Sequence, residues 1–309
     1  MSKRLLIKNV DVVTLDESGA IMRNTNIAIE GGAVKAVGGI PPDFLPAEVI
    51  DGYNHVALPG FFNAHCHTAL TLERGWAEDL PFSRWLNEKI WVAESALGSD
   101  DVYWGAALAA CEMLRTGCVA FNDHYFYMDR VAEVVDAAGM KGMLVWCVFG
   151  IGDEKEVGAN LDGTLAFVDR WRAKDGRIRL GLGPHSPYIC PPDFLRRVAS
   201  FATDRSLRVH LHVAETEEQL DKSLAVHGKT PVAHLESLGI FDGPAVAAHC
   251  LVVTDDDVEI LSRRNVNVFS ATCKPFVIQN RRTAKTCRIS RKTHVALQRK
   301  SVASFCSAA

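Results

Sequence analysis

Leu58 to His67 reads Leu-Pro-Gly-Phe-Phe-Asn-Ala-His-Cys-His. In an extended chain, residues two apart project from the same face, so His65 and His67 present two imidazoles to one point while Cys66 faces away. That geometry suits a metal ion. A third candidate ligand is His212, in Val-His-Leu-His-Val-Ala-Glu-Thr, where His210 shares its face but lies deeper and reads as a packed core residue. Glu215 follows three residues on, where a carboxyl can exchange protons with an activated water. The same residue would also suit the first turn of a helix, where the dipole favours an acid. His185 and His249 each end a run of small and apolar residues in the same way. Either one alone fits a structural role, but three strand ends carrying histidine beside a His-x-His point to one polar cluster.

Such a cluster needs elements that bring distant residues to one end of a sheet. Apolar runs at 56–67, 119–124, 142–149, 177–185, 207–213, 245–249 and 266–270 read as strands. Helical patterns fall between them, at 82–96, 99–114, 129–138, 159–174, 193–204, 215–227, 231–238 and 255–264. Strict alternation implies a parallel sheet. Histidines at the C-terminal strand ends, with no Gly-rich phosphate loop, favour a closed (β/α)8 TIM-type barrel over an open doubly wound sheet. Upstream, the β-rich runs 4–13 and 26–37 and a short strand or turn at 48–52 predict a small antiparallel unit over residues 1–55, with the barrel spanning 56–270.

The bulk numbers agree with an enzyme-sized globular chain: 309 residues, 48% hydrophobic, formal charge -3. No strong field is available to recruit nucleic acid or an anionic membrane. Nine cysteines without paired spacing argue for reduced thiols. The start turns polar too soon for a signal peptide, and no run approaches the ~20 apolar residues of a membrane span, so a cytoplasmic protein is expected.

Five stretches together are specific: 59–67, Glu73-Arg74-Gly75-Trp76-Ala77-Glu78-Asp79-Leu80, Gly183-Pro184-His185-Ser186-Pro187-Tyr188, His212-Val213-Ala214-Glu215-Thr216 and Ala247-Ala248-His249-Cys250. They resemble the amidohydrolase superfamily, in the branch of aminohydrolases and chlorohydrolases that includes the methylthioadenosine/S-adenosylhomocysteine deaminases. The resemblance implies one divalent metal, zinc before iron, held by His65, His67 and His212. It implies Glu215 as the proton carrier between water and a ring nitrogen, and His249 as the residue that orients the nucleophile. Glu94, with Trp91 beside it, and His185 would contact the substrate. The reaction implied is hydrolytic deamination of a small heterocycle of purine nucleoside, pterin or triazine type, with chloride removal as an alternative; a homo-oligomer is compatible with the sequence.

Two departures from that pattern stand out. The third strand, where the resembling nucleoside deaminases place an arginine, reads Val145-Trp146-Cys147-Val148, so Trp146 is expected to meet a flatter, more apolar substrate. The family's last metal ligand is an Asp on an eighth strand, yet no Asp or Glu follows Glu259, while the last 50 residues carry 11 Lys and Arg. Residues 271–309 show no apolar period for an eighth strand and helix, so the barrel is expected to be incomplete at its C-terminal end. As a basic arm for nucleic acid the tail lacks aromatic interleaving. An out-of-frame or disordered tail is the favoured reading, and an inactive pseudo-enzyme is the alternative to an active hydrolase.

Overall fold

The computed structural model describes residues 3–172 and 176–269, together with the backbone of 277–280 and 285–288. The chain divides into two compact units at Phe61/Phe62.

In the first unit, β1 (Arg4–Val13) is flanked by β2 (Ile21–Glu30), antiparallel, and by β4 (Glu48–Asp51), parallel, with β3 (Ala33–Val37) outside β2. The run 26–37 is therefore split. Gly31 and Gly32 take φ of +60° and +80° between Glu30 and Ala33, the paired positive values a tight hairpin turn requires. Val10, Val12 and Ile27 are buried between the strands. The short β5 (Val56–Ala57), which the sequence pattern joins to the barrel, pairs instead with Asp11 and Val12 of β1.

The second unit is the barrel. Its strands are β6 (Phe61–Cys66), β7 (Cys118–Tyr125), β8 (Lys141–Val148), β9 (Ile178–Pro184), β10 (Arg208–Val213), β11 (Ala245–His249) and, after the two-residue β12 (Val252–Val253), β13 (Asn267–Phe269). They lie in sequence order in one seven-stranded sheet, parallel in every pairing whose register is resolved. The sheet curls until its end strands approach: the rings of Phe62 on β6 and Phe269 on β13 are 6.5 Å apart. Phe269 packs with Met143, Val145 and Val246 as an inner cluster, while Leu144, Leu182, Val209 and Leu211 bury outward beneath the helices. Alternation along each strand thus separates an inner from an outer core.

Between β6 and β7 come α1 (Phe82–Trp85), a π-wound turn at Leu86–Ile90, α2 (Trp91–Glu94) and α3 (Ser99–Arg115). The single helix expected over 82–96 is interrupted by that turn, a device common where a helix must redirect side chains at a site. Then follow α4 (Met128–Ala138), α5 (Glu154–Arg172), α6 (Pro192–Arg205), α7 (Glu217–His227), α8 (Pro231–Ser237) and α9 (Asp255–Arg263). Local chemistry sets several starts. Thr216 caps α7 through Gln219 N, and Thr254 with Asp257 forms a capping box on α9.

Of the tail, β14 (Val277–Asn280) and β15 (Lys285–Arg288) pair antiparallel, and β14 lies parallel to β12. The reading of 271–309 as out-of-frame or disordered otherwise lies outside the described residues. Among the described residues no helix is long and apolar enough to cross a membrane.

Candidate active site

The C-terminal strand ends open into a cavity of about 310 Å³. His65 and His67 from β6, His185 after β9, His212 on β10 and His249 at the end of β11 all line it, with Glu94, Trp91 and Glu215. Eight of the nine sequence candidates therefore meet.

The ninth does not. Trp146 points away from the cavity and its indole lies 5.6 Å from the Phe167 ring of α5, in the outer core. The neighbouring Cys147 and Phe149 line the cavity in its place. Strand alternation explains the correction, since residues adjacent in a strand face opposite sides.

The imidazoles are held from behind. His67 donates from Nδ1 to the carbonyl oxygen of His124 (2.6 Å), and His212 from Nδ1 to that of His185 (2.9 Å). His65 Nδ1 pairs with His210 Nε2 at 3.0 Å, so His210 is the hydrogen-bonded core residue its depth suggests. With Nδ1 protonated, the Nε2 atoms of His67 and His212 carry lone pairs, and they face each other at 3.3 Å. Two lone pairs at that distance repel unless a cation lies between them. A zinc–nitrogen bond of about 2.0–2.1 Å places tetrahedral ligand atoms about 3.3 Å apart. Ring centroids of His65, His67 and His212 are 4.9, 5.0 and 5.3 Å apart pairwise, a spacing His249 shares at 5.2 Å from His65 and 5.4 Å from His212. The donor set fits a divalent transition metal. His212 belongs to two groups whose ligand atoms lie within 4.8 Å of one another, one with His65 and His249, the other with His67 and His124.

Burial pushes the pKa of every one of these histidines below its usual value: His185 falls to about 3 and His249 to about 4, with His67 adding to both. They are neutral at pH 7, the form that ligates metal. Burial acts oppositely on the acids. Glu215 is pushed up to about 7, offset in part by Gln219, and Glu94 to about 7, where Glu73 adds and Tyr125 opposes. Glu215 Oε1 lies 3.7 Å from His249 Nε2.

Glu215 sits just before the N-cap of α7, and its own N–H donates to Gln219 Oε1 at 2.8 Å. The strand end before it is sharply turned. Ala214, His249 and Cys250 have φ of +49°, +74° and +47°, unfavourable for residues with a Cβ. Cys250 N and Leu251 N donate to the carbonyl oxygens of Val213 and Ala214, at 2.8 and 2.9 Å, tying the ends of β10 and β11 together.

On the opposite wall His185 stacks on Phe149 with centroids 5.2 Å apart, and Trp91 meets both rings edge-on at 6.3 and 6.4 Å. Among the described lining residues there is no Lys or Arg.

Two further residues carry the site without having been singled out. Asp123, fully buried behind β7, accepts from the hydroxyl and the backbone N–H of Thr68, the residue after His67. His124 lines the cavity beside His67 and His212. It stands at the end of an apolar strand, the same signal that marks His185 and His249.

The sequence profile of the amidohydrolase family matches residues 56–297. A protein of Thermoanaerobacter pseudethanolicus called 5-methylthioadenosine/S-adenosylhomocysteine deaminase is 41% identical over 264 residues, 85% of this chain and 61% of its own length. One of the same name from Dictyoglomus thermophilum is 43% identical over 267 residues, 86% of this chain and 61% of its own. The chain thus spans about six tenths of the curated relatives it matches. A solved adenosine deaminase of Xanthomonas campestris with bound zinc superposes with a TM-score of 0.79 at 30% identity, covering 86% of this chain and 62% of that one. An atrazine chlorohydrolase of Arthrobacter aurescens shares the fold, with a TM-score of 0.76 at 23% identity, over 85% of this chain and 64% of that one.

Proposed function

The chain belongs to the amidohydrolase family, and we propose that it is a metal-dependent hydrolase that removes the amino group of a nitrogen heterocycle as ammonia. The observation that carries this reading is Glu215, a carboxyl with a pKa of about 7, 3.7 Å from neutral His249 and on the cavity that His67 and His212 line.

His65, His67 and His212 would hold the metal, zinc in the first instance. When bound there, such an ion polarises a water and lowers its pKa towards about 7. Glu215 takes the proton that water gives up as the new C–O bond forms, and passes it to the ring nitrogen. A carboxyl matched to neutral pH moves protons both ways at small cost. Glu215 then carries the remaining proton of the newly attached hydroxyl to the amino nitrogen, the C–N bond breaks as C=O forms, and ammonia leaves. His249, uncharged, orients the attacking oxygen through a ring nitrogen.

Trp91, Phe149 and His185 provide flat apolar surfaces for a planar ring. Glu94 accepts from N–H or O–H groups of the substrate. The described lining residues are mainly aromatic, apolar, histidine and carboxyl groups, which suits a base or nucleoside. A second recess of about 300 Å³ shares Trp91, Glu94, Phe126 and Phe149 and adds Ile151 and Ile189, room for an apolar substituent. Together with relatives named methylthioadenosine/adenosylhomocysteine deaminases, this favours an aminopurine nucleoside over pterins and triazines.

The test is ammonia release by the zinc-loaded 309-residue chain from adenosine derivatives, aminopurines, pterins and aminotriazines. Turnover of the nucleosides is expected. Zinc-loaded, folded and silent protein across the whole panel would refute the reading.

A further inference from the structure

We infer that His124 is a nitrogen ligand of the same metal ion, supplied from the second barrel strand. The inference rests on the reading of the cluster as a metal centre.

His124 is 1% exposed, at the end of β7. Its Nε2 donates to the carbonyl oxygen of Gly183 at 3.1 Å, which leaves the lone pair on Nδ1. That Nδ1 is buried and has no hydrogen-bond partner. An unmatched buried acceptor costs about 1–3 kcal/mol and calls for a ligand.

The ring lies among lone pairs already suited to a metal. Ligand atoms of His67, His124 and His212 fall within 4.8 Å of one another. The rings of His124 and His212 are 5.0 Å apart and nearly perpendicular at 86°, a spacing matching that between His65 and His212, while His124 and His67 are 6.1 Å apart. Residue 124 also acts twice on the cluster, because its own carbonyl oxygen fixes the His67 ring. Such outer hydrogen bonds orient metal-binding imidazoles.

The backbone makes space for this placement. A Cβ on Gly183 would fall 2.7 Å from the carbonyl oxygen of Trp146 and 3.0 Å from both Cδ2 and Nε2 of His124, so glycine at 183 lets the ring lie against β9. His67, His124 and His212 would hold the ion through neutral nitrogen donors, a set that suits a divalent transition metal.

The experiment is zinc titration of the metal-stripped full chain against a chromophoric competitor, beside His124→Phe and His67→Phe. Both variants are expected to bind zinc at least tenfold more weakly than the parent, with unchanged circular dichroism. Parent-like affinity in His124→Phe, with His67→Phe impaired, would overturn the assignment and leave the three-histidine centre standing. No zinc uptake by the parent would overturn that centre and the assignment with it. Should His124→Phe fail to fold, the zinc anomalous peak in crystals of the parent decides. A peak about 2.1 Å from a His124 nitrogen supports the assignment, and one outside coordination range of both its nitrogens overturns it.

Discussion

Glu215 and His249, on the loop after one strand and at the end of the next, hold an oxygen and a nitrogen 3.7 Å apart, the carboxyl near its pKa and the imidazole uncharged at neutral pH. A carboxyl near its pKa beside a neutral imidazole can take a proton without creating an isolated buried charge. Replacing Glu215 by Gln removes the proton carrier and keeps the shape. Turnover should fall by about 10²–10⁴, while zinc content measured by mass spectrometry stays at the parent value. Loss of zinc along with activity would instead make Glu215 a ligand.

The same carboxyl makes a prediction about stability. Its native pKa of about 7 is raised by burial above the ordinary value of 4.5, so the folded state binds more protons than the unfolded one between those limits. Stability contributed by the neutral carboxyl is therefore present below about pH 4.5 and lost as pH rises through 7. Metal-free Glu215→Gln should melt higher than the metal-free parent at pH 8, by at most about 3 kcal/mol, and the gain should vanish near pH 4.5. An advantage independent of pH would contradict the burial of the charge.

The histidines run the other way. Burial holds His185 and His210 at about 3 and His249 at about 4, below the ordinary value of 6.5, so the unfolded chain binds more protons between these limits. Stability is full above 6.5 and falls as pH drops towards 4. Urea midpoints of the metal-free protein should decrease steeply from pH 6.5 to 4.5, and zinc should protect by mass action.

Thr68 gives its hydroxyl and its N–H to buried Asp123 immediately after His67. Thr68→Val keeps the volume and the N–H donor but removes the hydroxyl from the buried Asp123 carboxyl, at a cost of about 1–3 kcal/mol. Denaturant melts should show that loss, and zinc affinity should drop because the backbone carrying His67 is loosened.

Trp91 and Trp146 separate binding from packing. Trp91→Ala should raise KM for an aromatic substrate about tenfold or more, with little change in melting temperature. Trp146→Ala should cost about 1–3 kcal/mol and leave KM close to the parent. The opposite pattern would put Trp146 in the cavity.

Trp146 also shows where reading a sequence stops short. The order of strands and helices was legible because apolar runs and helical periods alternate from residue 56 onwards, and His65 with His67 was legible because extended chain has a period of two. Which face of β8 turns inward was not, since Val145, Trp146 and Cys147 are all apolar and a shift of one residue exchanges the faces. His124 and Asp123 were missed for a different reason. They adjoin in sequence and serve the site from opposite sides of β7, one lining the cavity and one pinning Thr68 from behind. Glu94 has no spacing signal of its own; resemblance pointed to it, and the π-wound turn puts it on the cavity wall.

The left-handed backbone at Ala214, His249 and Cys250 bears on how the protein would respond to selection. Glycine tolerates those angles at little cost, whereas residues with a Cβ store roughly 1–2 kcal/mol each. A library screened only for heat resistance should therefore accumulate glycine at 214 and 250, and would loosen the turned strand ends that hold Glu215 and His249 facing one another. Survivors of that screen would be sturdier proteins and poorer enzymes, and a screen for turnover should restore the original residues.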